Sequence, residues 1–340
     1  MKKLVTAPET VVEDYLRGLA LAHGDLLDVH TNPNFVLRAD RPALSGREPQ
    51  VAVISGGGSG HEPLHCGLVG PGMLHAAVPG PVFTSPPAPQ IQAATMAADE
   101  GRGVLMIVKN YTGDVMNFET AAELCELDDV EVASVLVADD VAVEDSTFTA
   151  GRRGVAGTLV VEKIAGAAAA RGDDLAAVTA LAERAAASVR SMGVALRAGV
   201  NPNLGQATFD LAEDEIELGI GIHGEPGRER VPMRPAKEII GSLMDAILAD
   251  FEAGEATAAD GDVLLFVNGM GATPDSELHL CFAHAYDACT ARGIAVTRSL
   301  VGSYVTSLDM AGVSITLVRL DADLLAAWDA PCHTPALVRC

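Results

Sequence analysis

Aromatic side chains are scarce in this chain: Phe, Trp and Tyr make up 4% of its 340 residues. The core must then come mainly from Ala, Val, Leu and Ile, which suits helices packed on sheets. Basic residues are also few, 23 against 46 acidic ones, for a net charge of −23. A surface of that sign repels phosphate backbones, so no nucleic-acid partner is expected and the charge reads as a solubility feature. No run of about 20 apolar residues occurs, which argues against a membrane span. The first residues carry Lys2 and Lys3, but Glu9, Glu13 and Asp14 follow before any apolar segment, so a secretory leader is not expected. The six cysteines are scattered and none has Cys-x-x-Cys spacing. Neither a zinc ribbon nor a redox motif follows from them, and reduced thiols in the cytoplasm are expected. Cys66 reads as a small core residue.

Nucleotide machinery is missing as well. There is no His-Arg-Asp or Asp-Phe-Gly kinase loop, no Walker lysine and no cluster of aspartates suited to two magnesium ions. Asp321 and Asp323 lead into a plain helix. No bound nucleotide, cofactor or metal is therefore expected in this chain.

What is present is length and alternation. Single cores stop growing near roughly 250–300 residues, so two domains are expected. Residues 51–55 form a buried strand entering a glycine loop, and 103–108 and 130–137 are two more strands. Helical stretches at 89–100 and 117–126 lie between them. Two Ala-rich helices, 155–171 and 175–192, are split by Gly172-Asp173-Asp174, where Asp173 or Asp174 caps the second. Gly, Pro and Asn then concentrate over 198–206, and the division falls near there, giving domains 1–195 and 196–340. In the second half, residues 215–222 alternate with period two: Ile216, Leu218, Ile220 and Ile222 share one face, while His223 falls on the small-residue face of Glu215, Glu217, Gly219 and Gly221. A strand at 263–267, a helix at 276–292, strands near 294–300 and 314–320 and a short helix at 321–329 follow. The fold class is α/β: two α/β domains, each a mixed, largely parallel sheet with flanking helices.

Three segments stand out chemically. Ser55-Gly56-Gly57-Gly58-Ser59-Gly60-His61-Glu62-Pro63 lets the backbone approach a ligand closely. It matches neither a Walker loop nor a dinucleotide fingerprint, since His61 stands where the last glycine belongs, and a tight turn without a ligand is the plain alternative. Lys109-Asn110-Tyr111-Thr112-Gly113-Asp114 puts a cation and a carboxylate at a strand end, where open α/β sheets bind ligands; a surface pair capping a helix is its plain alternative. Gly219-Ile220-Gly221-Ile222-His223-Gly224-Glu225-Pro226-Gly227 surrounds one imidazole with glycines, clearing space that a merely structural histidine does not need.

GGGSGHEP, KNYTGD, AGRRGVAGT (150–158) and GIGIHGEPG together resemble the dihydroxyacetone kinase substrate-binding subunit family. FTSP (83–86), GATP (271–274), TSLDM (306–310) and WDAPCHTPAL (328–337) extend the resemblance over about residues 10 to 338. The resemblance implies that His223 adds through a ring nitrogen to the ketone, giving a hemiaminal. It implies that His61 hydrogen-bonds the substrate and accepts a proton, that Asp114 holds a substrate hydroxyl and that Lys109 is a further substrate-binding position. Gly58, Ser59 and Gly60 are implied to form the loop against which the substrate lies. The chemistry is coherent on its own terms: a neutral imidazole is a nucleophile near neutral pH and a ketone is an electrophile. Capture of the carbonyl rejects glycerol, which has the hydroxyls but nothing to attack. Either His61 or Asp114 takes the proton of the hydroxyl that is phosphorylated.

The family comes fused to a nucleotide-binding domain or as a separate subunit. This chain ends right after the substrate-binding part, so the separate form is expected, with ADP and magnesium on a nucleotide-binding kinase subunit. A phosphotransferase-system phosphocarrier acting indirectly and a homodimer are implied too. The rival from another class is a ligand-sensing paralogue that serves a transcription factor without catalysis. A nucleotide-binding oxidoreductase fails on the glycine spacing.

Overall fold

The computed structural model describes residues 2–143, 149–253 and 261–340. After α1 (Val11–Ala22), the hairpin of β1 (Leu27–Thr31) and β2 (Asn34–Arg38) leads through the one-turn α2 (Pro42–Ser45) into β3 (Ala52–Ser59) and β4 (Ala76–Val82). Then come α3 (Ala88–Ala98), β5 (Val104–Lys109), α4 (Thr112–Leu127) and β6 (Val132–Val137). The strands form one six-stranded sheet in the order β1-β2-β4-β3-β5-β6. β3 runs parallel to β4 and β5, and β5 parallel to β6. α4 is the crossover between the parallel neighbours β5 and β6, and α3 carries the chain from β4 past β3 to β5. The first hairpin adds the antiparallel edge.

The other face of that sheet is covered by α5 (Gly157–Arg171) and α6 (Leu175–Ala187). α5 is buried from Gly157 to Ala169, all round rather than on one stripe. Ala and Gly make this possible: a Cβ on Gly166 would lie 2.4 Å from the Met73 backbone. Asp174 caps α6, its Oδ1 accepting from the Ala177 N–H at 2.9 Å.

The second sheet has β7 (Val189–Arg197) at its centre. The short hairpin of β8 (Val200–Asn201) and β9 (Gln206–Ala207) precedes β10 (Glu215–Leu218), β11 (Glu229–Pro232) and α7 (Ala236–Ala253). β12 (Asp262–Gly269), α8 (Asp275–Ala291), β13 (Val296–Gly302) and β14 (Ala311–Leu320) complete it, in the order β11-β10-β7-β14-β12-β13. α7 and α8 pack on one face. α9 (Ala322–Asp329) and the hairpin of β15 (Cys332–His333) and β16 (Val338–Arg339) return to the first half, with α9 against α5.

The α/β class with two mixed sheets agrees with the sequence reading, and three points differ. The second sheet is largely antiparallel: only β12 and β13 pair in parallel, through the α8 crossover. Strand–helix alternation does not reveal where a strand inserts, and β14 inserts between β7 and β12. The helix expected over 175–192 ends at Ala187, and residues 189–197 are β7, where Val189, Met192 and Val194 face apolar cores. The strand expected over 215–222 stops at Leu218, because Gly219 turns the chain with φ 79°. A division into two domains at 195/196 is our proposal from the sequence; that point lies inside β7. Among the described residues no helix is long and apolar enough to cross a membrane, and all six cysteines are free. Cys66 is in the core, where burial pushes its thiol up.

Candidate active site

The glycine segment is strand, not loop. β3 continues through Gly56, Gly57 and Gly58, pairing with Val78, Pro79 and Gly80 of β4. Small residues let the neighbouring chain crowd in: a Cβ on Gly58 would lie 2.6 Å from the Thr84 backbone nitrogen. That approach sets Phe83 beside the site in the left-handed region, at φ 57°, an uncommon conformation for a bulky residue. Its ring stacks on His61, with centroids 5.2 Å apart.

At the end of β5, Lys109 points inward and is fully buried. Thr112-Gly113-Asp114 forms the first turn of α4, which starts ahead of the helical stretch expected over 117–126, and this places Asp114 against the pocket. A pocket of about 300 Å³ is lined by Gly58, Phe83, Tyr111, Gly113, Asp114 and His223, together with Ser85 and Thr112. His223 comes from the turn after β10 and meets the first sheet's residues there. Its ring packs edge-on against His61, Phe83 and Tyr111, with centroids 4.7, 5.2 and 4.5 Å away.

Proton positions follow from the partners. His61 Nδ1 lies 2.7 Å from the Thr306 carbonyl oxygen, which can only accept. Nδ1 therefore carries the proton, and Nε2 is free to accept. Burial, then electrostatic interaction with neighbouring His223 and Lys109, holds His61 well below the usual histidine range, so the ring stays neutral. Its Nε2 faces His223 Nε2 at 3.1 Å, and one proton lies between the two rings.

On the other side of His223 stands Glu225. It accepts from the His223 backbone N–H at 2.8 Å and from the Tyr111 hydroxyl at 3.1 Å, and its Oε1 is 3.6 Å from His223 Nδ1. Burial alone would push this carboxyl up. Contact with His223 and the charge of Arg153 outweigh burial and bring it down to about 2. Gly221 of the motif makes room for this carboxylate rather than for empty space around the ring: a Cβ there would lie 2.0 Å from Glu225 Cδ.

Arg153, from AGRRGVAGT, pins the loop that carries both residues. It donates to the Gly219 carbonyl at 2.6 Å and the Pro226 carbonyl at 3.2 Å, and pairs with buried Asp140 at 2.6 Å. TSLDM contributes Thr306 below His61 and a Leu308 N–H that donates to the Gly60 carbonyl at 2.7 Å.

The fold thus brings His61, His223, Asp114 and Gly58 together. Lys109 lies behind the wall, its Nζ 3.8 Å from Asp114 Oδ2. Ser59 and Gly60 line a separate cavity with Glu62 and Leu308, and the Ser59 hydroxyl turns to the Gly80 carbonyl at 2.7 Å. The pleat explains Ser59, since successive residues of a strand point to opposite faces, while Gly60 lies beyond the end of β3. Phe83, Tyr111, Glu225, Arg153 and Asp140 carry the site without having been singled out individually from sequence, although all but Asp140 lie inside the quoted motifs.

A model of the Dak1 domain matches residues 17–336. The dihydroxyacetone-binding subunit of the PEP-dependent dihydroxyacetone kinase of Escherichia coli K12 is 45% identical, covering 99% of both chains. The corresponding subunit of PTS-dependent dihydroxyacetone kinase 1 of Listeria innocua is 48% identical over 94% of this chain and 95% of its own. Among solved structures, a dihydroxyacetone kinase operon co-activator superposes with TM-score 0.88 at 33% identity, covering 96% of this chain and 98% of its own. The dihydroxyacetone kinase of C. freundii gives TM-score 0.85 at 34% identity, over 99% of this chain and 60% of its own. Matched along nearly its whole length by both a family model and relatives far above 30% identity, the chain belongs to the Dak1 domain family.

Proposed function

We propose that this chain is the substrate-binding subunit of a dihydroxyacetone kinase, a phosphotransferase with an alcohol group as acceptor. The observation that carries the reading is the juxtaposition of His61 and His223, 3.1 Å apart, beside a pocket that Asp114 also lines. At about 300 Å³ the pocket is at the small end for ligand sites, which suits a triose.

His223 is assigned as the nucleophile. A carbon–nitrogen bond forms between an unprotonated ring nitrogen and the carbonyl carbon, the carbonyl oxygen gains a proton, and the other ring nitrogen gives one up. Both nitrogens have a partner for that exchange: His61 Nε2 faces one and Glu225 the other. The hemiaminal then presents a hydroxyl for transfer, a step governed by positioning and charge neutralisation. Asp114 and His61 are the candidate acceptors of its proton. Gly58 and Lys109 are assigned to the substrate surroundings. The phosphoryl group comes from a separate subunit, in keeping with relatives named as the dihydroxyacetone-binding subunits of PEP- and PTS-dependent kinases. ADP and magnesium on that subunit, reloaded through a phosphotransferase-system phosphocarrier, follow from the family resemblance. A homodimer in the cytoplasm follows from the family resemblance.

The test is intact-protein mass spectrometry after mixing with dihydroxyacetone or glycerol. An adduct with the ketone alone is expected; an equal response to glycerol rejects carbonyl capture. The likeness to the operon co-activator supports one other reading, a sensor that binds the ketone without phosphorylating it. Turnover with the partner subunit separates the two.

A further inference from the structure

Behind the pocket wall Lys109 heads a buried chain of ionisable groups, and the mechanism above does not use the other two, His65 and Glu162. Lys109 Nζ donates to the Gly56 carbonyl at 2.9 Å and meets His65 Nε2 at 2.7 Å. His65 Nδ1 in turn meets Glu162 Oε1 at 2.5 Å. Glu162 is on α5 and fully buried, and its Oε2 has no hydrogen-bond partner, since the adjacent Ser55 hydroxyl donates to the Ile107 carbonyl. A carboxyl buried this deeply is costly to keep unless something depends on its charge. The far end of the chain comes within 3.8 Å of Asp114 Oδ2 in the pocket wall.

Donor rules fix the direction. An ammonium only donates, so His65 Nε2 accepts, Nδ1 carries the ring proton and Glu162 accepts as a carboxylate. Moving one proton across each bond gives the mirror arrangement: neutral amine, Nε2–H, bare Nδ1 and carboxylic acid. Lys109, His65 and Glu162 together carry zero net charge in both arrangements, so the switch creates no buried charge. We propose that Glu162 and His65 are positioning residues that hold a shared proton on Lys109 beside Asp114, so that the cation balances the pocket carboxylate during phosphoryl transfer.

Burial pushes Lys109 down, against Asp114 and Glu162, and pushes Glu162 up to about 8, against the Lys109 charge. The two ends are thereby brought towards equal proton affinity, as a relay requires. The other titratable groups facing Lys109 are Asp114 from α4 and His65 and His61 from the segment after β3. Loss of the shared proton would leave a bare anion in the core, so wild type retains it to high pH. With Glu162→Gln, the trio is cationic until the proton leaves and neutral afterwards, so the proton leaves at lower pH.

The inference rests on the proposed function, and the experiment separates the two. The pH profile of kcat/KM for dihydroxyacetone is measured with a saturating nucleotide-carrying subunit, for wild type, Glu162→Gln, His65→Gln and Lys109→Met. The alkaline limb of Glu162→Gln is expected to fall at a pH lower by about one unit or more, tenfold in rate at a fixed pH on the limb, whereas His65→Gln, which leaves the Glu162 carboxylate in place, moves it less. In a Lys109→Met background, Glu162→Gln is expected to move nothing further. An alkaline limb at the wild-type position in Glu162→Gln, or an undiminished Glu162→Gln effect without Lys109, overturns the relay. Absence of turnover by wild type in the same assay rejects the functional reading instead.

Discussion

Replacing Glu225 by Gln keeps the size and one acceptor oxygen of the side chain and removes its charge. The structure gives the scale of the effect. The carboxyl is 4% exposed, so solvent screens it little, and its environment lowers it from an ordinary 4.5 to about 2. That difference corresponds to about 3 kcal/mol of preference for the carboxylate at neutral pH, an upper bound because Gln retains hydrogen bonding. The sign is fixed. A depressed carboxyl stabilises the fold fully above its unfolded value, and the contribution is lost as pH falls through the folded value. The wild-type advantage over Glu225→Gln should therefore be flat above about pH 5 and shrink to about 1 kcal/mol by pH 3. Urea unfolding of both proteins at several pH values measures it. The same variant should form the dihydroxyacetone adduct more slowly, since the charge beside His223 Nδ1 is gone. A stability difference that stays constant from pH 7 to pH 3 would refute the reasoning, because the loss would then come from packing and not from the carboxylate.

Gly221→Ala should resemble Glu225→Gln, because its Cβ would lie 2.0 Å from Glu225 Cδ; displacing that carboxylate should cost about 100-fold in turnover with far-ultraviolet circular dichroism unchanged. His223→Ala should abolish the adduct seen by mass spectrometry while sparing some turnover of dihydroxyacetone, and an adduct that persists would show the nucleophile is elsewhere. Asp114→Asn should keep the adduct and lose about 10²–10⁴-fold in turnover if Asp114 is the base, whereas His61→Asn takes the larger loss if His61 is. Calorimetry of the isolated chain with ATP and magnesium should give no micromolar binding, and such binding would reject the two-component reading.

Sequence made the elements and the principal reacting groups legible for different reasons. Apolar runs such as 103–108 and 263–267 mark buried strands because burial on both faces leaves few alternatives to Val, Leu and Ile. His223 and Asp114 are marked by unusual neighbours: glycines in one case, a strand end in the other. The polarity of the second sheet is not written in any local window, because insertion of β14 between β7 and β12 depends on pairing across more than a hundred residues. The supporting network is hidden for the same reason. Arg153 and Asp140 are only 13 residues apart, yet the Gly219 carbonyl they help to fix lies 66 residues beyond Arg153. His65 and Glu162 are separated by 97 residues, and neither stands out in the sequence. α5 is buried all round, so no amphipathic pattern separates Glu162 from a solvent-facing residue. What a sequence reveals of such a site is therefore the group that reacts. The groups that set its charge become visible only when the fold closes over them, and they are where the geometry adds most to the chemistry.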